Sequence, residues 1–233
     1  VEAQASFEGV DMVTPIVYDK YGRQDISYLP YTHTGSPIAG RYKDNWEAKQ
    51  PGFYGGLASI SGSKDKPYAL TQFEASPLNR VIEQGAPGTD WQPSANPGSQ
   101  NGGEHTVITE YLSNSSGVHG FIPENLNTSG KISRKKNYYS ANSLNLVRSV
   151  DENGAETETA TDKQGRLIYK SVQIKASSAT KRWDSNDYAT TYYVYDAFGN
   201  VRFVIQPEGL KTARTSGIST TIRDDYCFEY VYD

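Results

Sequence analysis

The 233 residues include 18 Tyr, 7 Phe, 3 Trp, 21 Gly and 11 Pro and carry a formal net charge of -4. Such aromatic content excludes a disordered chain, and the glycines and prolines argue for strands joined by turns, not long helices. The mild charge gives no reason to expect nucleic acid, no segment reaches the roughly 20 apolar residues of a membrane span, and a single Cys227 leaves no internal disulfide or cysteine-based zinc site.

In chain order, residues 1–7 alternate like the second strand of a hairpin whose first strand is missing. With no initiator Met and no signal peptide, the chain is expected to begin inside a longer array. Val17-Tyr18-Asp19-Lys20-Tyr21-Gly22-Arg23 then closes one strand and opens the next. The Asp19 side chain can accept from turn N–H groups, and Gly22 supplies the positive φ of a tight reversal. Gln24, Ile26 and Tyr28 share a face of the following strand. Residues 32–63 form a Gly/Pro-rich excursion with at most a short helix near 44–49.

Residues 68–74 and 80–83 alternate around Ala75-Ser76-Pro77-Leu78-Asn79, which reads as a hairpin with a longer turn. A helix with Ser76 as N-cap, Pro77 as first residue and Gly85 as stop stays open. Residues 85–103 are a low-complexity loop, and 105–112 with 118–122 are a further candidate hairpin. Arg134-Lys135-Lys136, ahead of Tyr138 and Tyr139, reads as a solvated turn between strands. Asp151-Glu152-Asn153-Gly154 is a turn between strands at 144–150 and 155–161.

The Tyr-Asp unit then returns. Asp162-Lys163-Gln164-Gly165-Arg166 has lost its Tyr, while Val194-Tyr195-Asp196-Ala197-Phe198-Gly199-Asn200 keeps it. The second of these runs on to a Pro at the same offset as the first copy. Cys227, inside the alternating Tyr226-Cys227-Phe228-Glu229-Tyr230, reads as a buried thiol, and Tyr230-Val231-Tyr232-Asp233 is the first half of a fourth copy. One hairpin cannot bury its apolar face alone, so the units are expected to lie side by side in one sheet.

This recurrence of Tyr-Asp-x-x-Gly followed by Arg or Asn resembles the YD repeats of the RHS and teneurin-like family. The resemblance is closer to the RHS-repeat proteins of Bacteroides-type bacteria. There a similar repeat precedes a Phe-Glu-x-Ser-Pro-Leu-Asn-Arg-Val segment and a Gln-Gly-Ala-Pro-Gly loop ending in Trp-Gln-Pro. Here these are residues 73–81, 84–88 and Trp91-Gln92-Pro93, with a Thr14-Pro15-Ile16-x-Tyr18-Asp19 lead-in. The resemblance implies a secreted or cell-surface bacterial protein whose curved sheet spirals into a shell. Such shells enclose or present a C-terminal effector, often a toxin, or act in attachment. The family's C-terminal core and its aspartyl self-cleavage segment have no counterpart in these residues. The chain is therefore expected to be a fragment whose main partner is the rest of its parent chain.

Candidate chemistry is sparse. His33, His105 and His119 lack metal-ligand spacing, and there is no Gly-x-Ser-x-Gly elbow, Walker loop or Gly-x-Gly-x-x-Gly. Asp184, Asp187, Asp224 and Asp225 are the carboxylates a glycoside hydrolase would need to face one another. Asp184-Ser185-Asn186-Asp187 offers oxygen ligands for Ca²⁺, though a hydrogen-bonded turn is simpler. Trp46, Trp91 and Trp183 sit in loop-like segments where exposed rings could stack on a sugar, unless they merely cover the sheet.

The expectation is an all-β protein: a twisted, curved antiparallel sheet of YD-type strand–turn–strand repeats, with long loops and at most short helices. It is read as a single domain over residues 1–233, non-catalytic, without cofactor or metal. The turn positions are structural: Tyr18, Asp19, Gly22 and Arg23; Asp162, Gly165 and Arg166; Tyr195, Asp196, Gly199 and Asn200. The alternative is a surface carbohydrate- or protein-binding module, with glycoside hydrolase behind it. Free strand edges are expected to invite edge-to-edge self-association.

Overall fold

The computed structural model describes residues 1–3, 10–33, 39–57, 65–93, 105–123, 132–216 and 218–232. The strand pattern expected at 1–7 and the distal part of the 85–103 loop fall largely outside these. The protein is all-β, its strands antiparallel, with helices of ten residues or fewer among the described residues. None of these helices is long and apolar enough to cross a membrane. The chain divides into two compact units, Val1–Thr109 with Asp151–Asn153, and Glu110–Val150 with Gly154–Asp233.

The first unit contains β1 (Asp11–Val13), β2 (Ile26–Tyr28), β3 (Tyr31–His33), α1 (Trp46–Gly55), β4 (Tyr68–Phe73), β5 (Val81–Gly85) and the start of β6 (Thr106–Ser113). Its sheet runs β2-β4-β5-β6, while β1 pairs separately with β3. The first repeat therefore does not close as a full hairpin. β1 stops ahead of Thr14-Pro15, where proline has no N–H for a ladder, and Ile16 makes only a lone bridge to Ser27. The segment after Phe73 is a turn leading into β5, which resolves the strand-or-helix choice in favour of strand.

The core of this unit is Val13, Tyr31 and Tyr54, flanked by Leu29, Trp46, Phe53 and Leu57. The helix is longer than expected and presents Gln50 and Tyr54, four apart, as its buried residues. Gln50 Nε2 donates to the Leu29 and Pro67 carbonyls, and the Tyr54 hydroxyl to Pro30. Lys43 and Asp11, both buried, pair at 2.6 Å and tie the excursion back to β1. The loop after β5 begins tightly packed. A Cβ at Gly85 would lie 2.2 Å from the Trp91 carbonyl oxygen, so only glycine lets the Thr89–Trp91 turn fold onto the strand.

The second unit holds β7 (Val118–Pro123), β8 (Ile132–Tyr139), β9 (Asn145–Val150), β10 (Glu156–Thr161), β11 (Leu167–Gln173), β12 (Tyr188–Tyr195), β13 (Val201–Ile205), α2 (Pro207–Ser216), α3 (Thr220–Tyr226) and β14 (Cys227–Glu229). β9 to β14 pair in sequence order, and β7 pairs with β8. The hairpin expected from 105–112 and 118–122 does not form. Asn114, buried after β6, bonds instead to the Ser140 carbonyl and to the Ser143 and Leu144 N–H groups, so the chain turns away. Arg134-Lys135-Lys136 is likewise not a turn but the middle of β8, paired with Phe121 and Gly120, because ladder bonds are made by backbone whatever the charge.

β12 alternates without a break, placing Tyr188, Thr190, Tyr192 and Val194 inside. Tyr192 meets Phe121 edge-on with centroids 5.2 Å apart. Leu210 and Ala213, three apart on α2, join the same core. Pro207 opens α2 where its missing N–H costs nothing, and Ser219 caps α3 by accepting from Ile222 N. Cys227 is half-buried, and burial pushes its thiol up to about 11.

Candidate functional site

The three Tyr-Asp turns share one set of hydrogen bonds. Asp19 Oδ1 accepts from Tyr21 N at 2.8 Å and Arg23 N at 2.9 Å. Asp162 Oδ1 accepts from Gln164 N and Arg166 N, both at 2.9 Å, and Asp196 Oδ1 from Phe198 N and Asn200 N, again at 2.9 Å. Backbone bonds between each Asp and the residue four on close the loop at 2.8, 3.0 and 2.9 Å. Gly22, Gly165 and Gly199 have φ of 76°, 79° and 89°, as the reversal requires. Arg23 and Arg166 each add Nε and Nη2 to the second carboxylate oxygen, whereas Asn200 supplies one amide at 3.2 Å. Burial works against the charge on all three aspartates, but the turn N–H groups and the Arg or Asn side chain hold them below the usual range.

The longer turn expected between residues 73 and 81 proves to be a fourth of this class. Glu74 N donates to the Arg80 carbonyl at 2.9 Å, and Arg80 returns Nε and Nη2 to the two carboxylate oxygens at 2.8 and 2.7 Å. Arg80 and Ser76 hold the Glu74 carboxyl at about 2. Asn79 takes the positive φ, 52°, in place of glycine. The register also shifts at the same place in three of these hairpins, between Gln72 and Phe73, Ala160 and Thr161, and Val194 and Tyr195. A bulge directly before the acid thus belongs to the unit.

Successive turns are latched together. The Tyr195 hydroxyl donates to the Leu167 carbonyl at 2.8 Å, and the Arg166 guanidinium lies 5.1 Å from the Tyr195 ring. Tyr232 repeats the bond one hairpin later, to the Val201 carbonyl at 2.9 Å. In the first unit the Arg23 guanidinium sits 4.4 Å from Phe73, the ring that stands where a repeat has Tyr. Tyr18, by contrast, is exposed.

The tryptophans are not a set of exposed platforms. Trp183 is buried in the core of its unit, because its 3-10 turn packs back against β11 and β12. Trp46 begins α1 and meets Tyr28 edge-on at 4.9 Å. Trp91 is 40% exposed, and its ring lies 4.9 Å from that of His105. Of the candidate carboxylates, Asp187 accepts from Ser177 Oγ and pairs with Lys175, and Asp224 pairs with Arg223. His33 Nε2 lies 2.7 Å from Lys49 Nζ, and His105 Nδ1 3.1 Å from the Glu152 carbonyl. Among the described residues no group of three His, Cys, Asp or Glu could hold a metal ion.

Sequence reasoning missed an ion-pair network on β10. Glu156 binds Arg182 Nε at 2.6 Å and the Tyr188 hydroxyl at 2.7 Å, with Arg148 at 3.5 Å. Glu158, buried two residues on, accepts from the Tyr169 hydroxyl at 2.9 Å, with Arg182 Nη1 at 3.6 Å. Burial raises Glu158; burial also opposes Glu156, but Arg182 and Tyr188 hold it low. Opposed shifts are the pattern of an acid–base pair, yet both carboxylates are engaged in fastening Arg182 and its turn to the sheet. The signal was the Glu-x-Glu spacing, which puts both side chains on one strand face.

A cavity of about 620 Å³ lies between the Asp19–Arg23 and Glu74–Arg80 turns, lined by Tyr21, Arg23, Phe73, Glu74, Pro77 and Asn79 among others. Among known proteins, the family described as "Domain of unknown function (DUF6443)" matches residues 1–105. No curated protein matches the chain.

Proposed function

We propose that this chain is a non-catalytic structural segment of a secreted or cell-surface bacterial shell of the RHS/YD-repeat type, one that encloses or presents a C-terminal effector. The observation that carries this reading is the clasp. The same acid–backbone–arginine bonding closes turns at Asp19, Glu74 and Asp162, and Asp196 keeps it with Asn in place of Arg. Tyrosine latches then bind a hairpin to its neighbour at Tyr195 and Tyr232. Such a unit specifies how to add the next hairpin, which is the property a wall needs. The carboxylates of the second unit support the same reading, since Glu156 holds the Arg182 turn to β10, Glu158 bonds the Tyr169 hydroxyl of β11, and Asp187 pairs with Lys175 across the connection between β11 and β12.

The test is to express the full open reading frame that encodes these residues and digest it with a broad-specificity protease. Intact clasps should leave the region C-terminal to residue 233 protected. An Asp162→Ala/Asp196→Ala double variant should expose it. A C-terminal region cut equally fast in both proteins, or a reproducible hydrolytic activity of this chain on a glycan or peptide, would refute the reading.

A further inference from the structure

We propose that Lys49 is a site of N-acylation, its amine primed as a nucleophile by His33, with a small thioester as the acyl donor. The two side chains meet within the first unit. Nζ of Lys49, on α1, lies 2.7 Å from Nε2 of His33, at the end of β3. Lys49 is exposed, whereas His33 is only 7% exposed, so a base held inside the fold touches an amine on its surface. The site lies apart from the repeat turns and does not depend on whether the surrounding sheet builds a shell.

The identity of the partner sets Lys49 apart. Lys43, Lys175 and Lys211 face the carboxylates of Asp11, Asp187 and Glu208 at 2.6, 2.8 and 2.8 Å. A carboxylate favours the ammonium form, whose nitrogen has no lone pair to offer. A neutral imidazole instead accepts an ammonium proton and can keep it. The His33 tautomer that does so carries its own hydrogen on Nδ1, which is buried without a hydrogen-bond partner, and presents the Nε2 lone pair to Lys49. Packing fixes the ring in this pose. The Tyr31 ring lies 6.3 Å away, and Asp11, opposite on β1, is matched to Lys43 and to Gly40 N. In the reaction Nζ passes one proton to Nε2, and the freed lone pair attacks the acyl carbon. The carbon–sulfur bond breaks with its electrons on sulfur, and the thiolate collects the proton from the imidazolium. A second Nζ proton leaves to solvent as the amide forms.

The experiment is a time course of this chain with the S-acetyl thioester of N-acetylcysteamine, read site by site by tandem mass spectrometry of Glu-C peptides. Lys49 should acetylate at least about tenfold faster than the exposed Lys163 and Lys181, a floor below what a positioned base usually contributes. In urea the advantage should vanish. His33→Gln still accepts a hydrogen bond but cannot take up the proton, so it should bring Lys49 down to the rate of Lys163, with near-ultraviolet circular dichroism reporting the fold. A second measurement needs no substitution at a buried position. In wild-type protein, D2O should slow Lys49 more than Lys163, because a proton is in flight to His33 only at the first. The proposal is overturned if Lys49 reacts no faster than Lys163 and Lys181, or if its advantage survives in urea or in folded His33→Gln. It is equally overturned if D2O slows Lys49 and Lys163 alike.

Discussion

Replacing Asp162 by alanine isolates the clasp from the rest of the fold. The change strips the acceptor from Gln164 N and Arg166 N, both at 2.9 Å, and from Arg166 Nε at 2.7 Å. A buried hydrogen bond to a charged group contributes about 1.5–3 kcal/mol, and these partly wet turn N–H groups merit about 1 kcal/mol each. The ion pair, with a third of the Arg166 side chain exposed, adds roughly 0.5 kcal/mol. The expected loss is therefore about 2–3 kcal/mol for Asp162→Ala. Asp162→Asn retains one acceptor oxygen and should lose about 1 kcal/mol. Asp196→Ala, whose partner is Asn200 and whose bonds are exposed, should fall below Asp162→Ala.

Urea unfolding at pH 7 measures this through the fluorescence of Trp183, which lies in the same unit, in a Trp46→Phe/Trp91→Phe background. The sign of the pH dependence follows from linkage. Burial opposes the Asp162 charge, but Arg166 and Gln164 N hold its folded pKa below the ordinary value. Its stabilisation is thus full above about pH 4 and drains as pH falls through the lowered value. The gap between wild type and Asp162→Ala should hold from pH 7 to 5 and close in stronger acid. A gap under about 0.5 kcal/mol at pH 7, or one that persists unchanged in acid, would show that the clasp is not what closes the turn.

Three further outcomes are expected. Gly165→Ala meets open space and should lose only the positive-φ penalty of about 1 kcal/mol, whereas Gly85→Ala collides with backbone at Trp91 and should lower the melting temperature far more. Trp183→Ala should remove about 3–5 kcal/mol and Trp91→Ala under about 1, with iodide quenching Trp91 and sparing Trp183. Since burial holds the Cys227 thiol at about 11, a thiol-reactive dye at pH 8 should label native protein about a hundredfold more slowly than urea-unfolded protein; equal rates would show an open thiol.

What the sequence disclosed was local chemistry. Asp19, Asp162 and Asp196 could be read because an aspartate, two spacers and a glycine make a turn from neighbouring atoms alone. The Glu74 clasp was concealed because a longer acid and two additional residues break the period, though its bonding is the same. Pairing was harder, since adjacency in sequence is only a default. Pro15 diverts β1 to β3, and Asn114 turns β7 toward β8. Nor does loop composition say which way a ring faces, so Trp183 looked like Trp91 until its turn was seen to pack inward. The Glu156–Arg182 network needs partners from three separate segments, which no local pattern supplies. α2 and α3 did carry readable signals, Pro207 at the first helical position and Ser219 as cap, but the strand-rich surroundings masked them.

The Glu74 clasp has a consequence for how such proteins diversify. Because acid and arginine close the base of the turn, the residues between them can be lengthened without moving either flanking strand out of register. The turn then behaves as a socket whose contents are exchangeable while its rim stays constant. New surface chemistry, such as the Pro77 wall, can be installed there one loop at a time, with the sheet beneath left undisturbed.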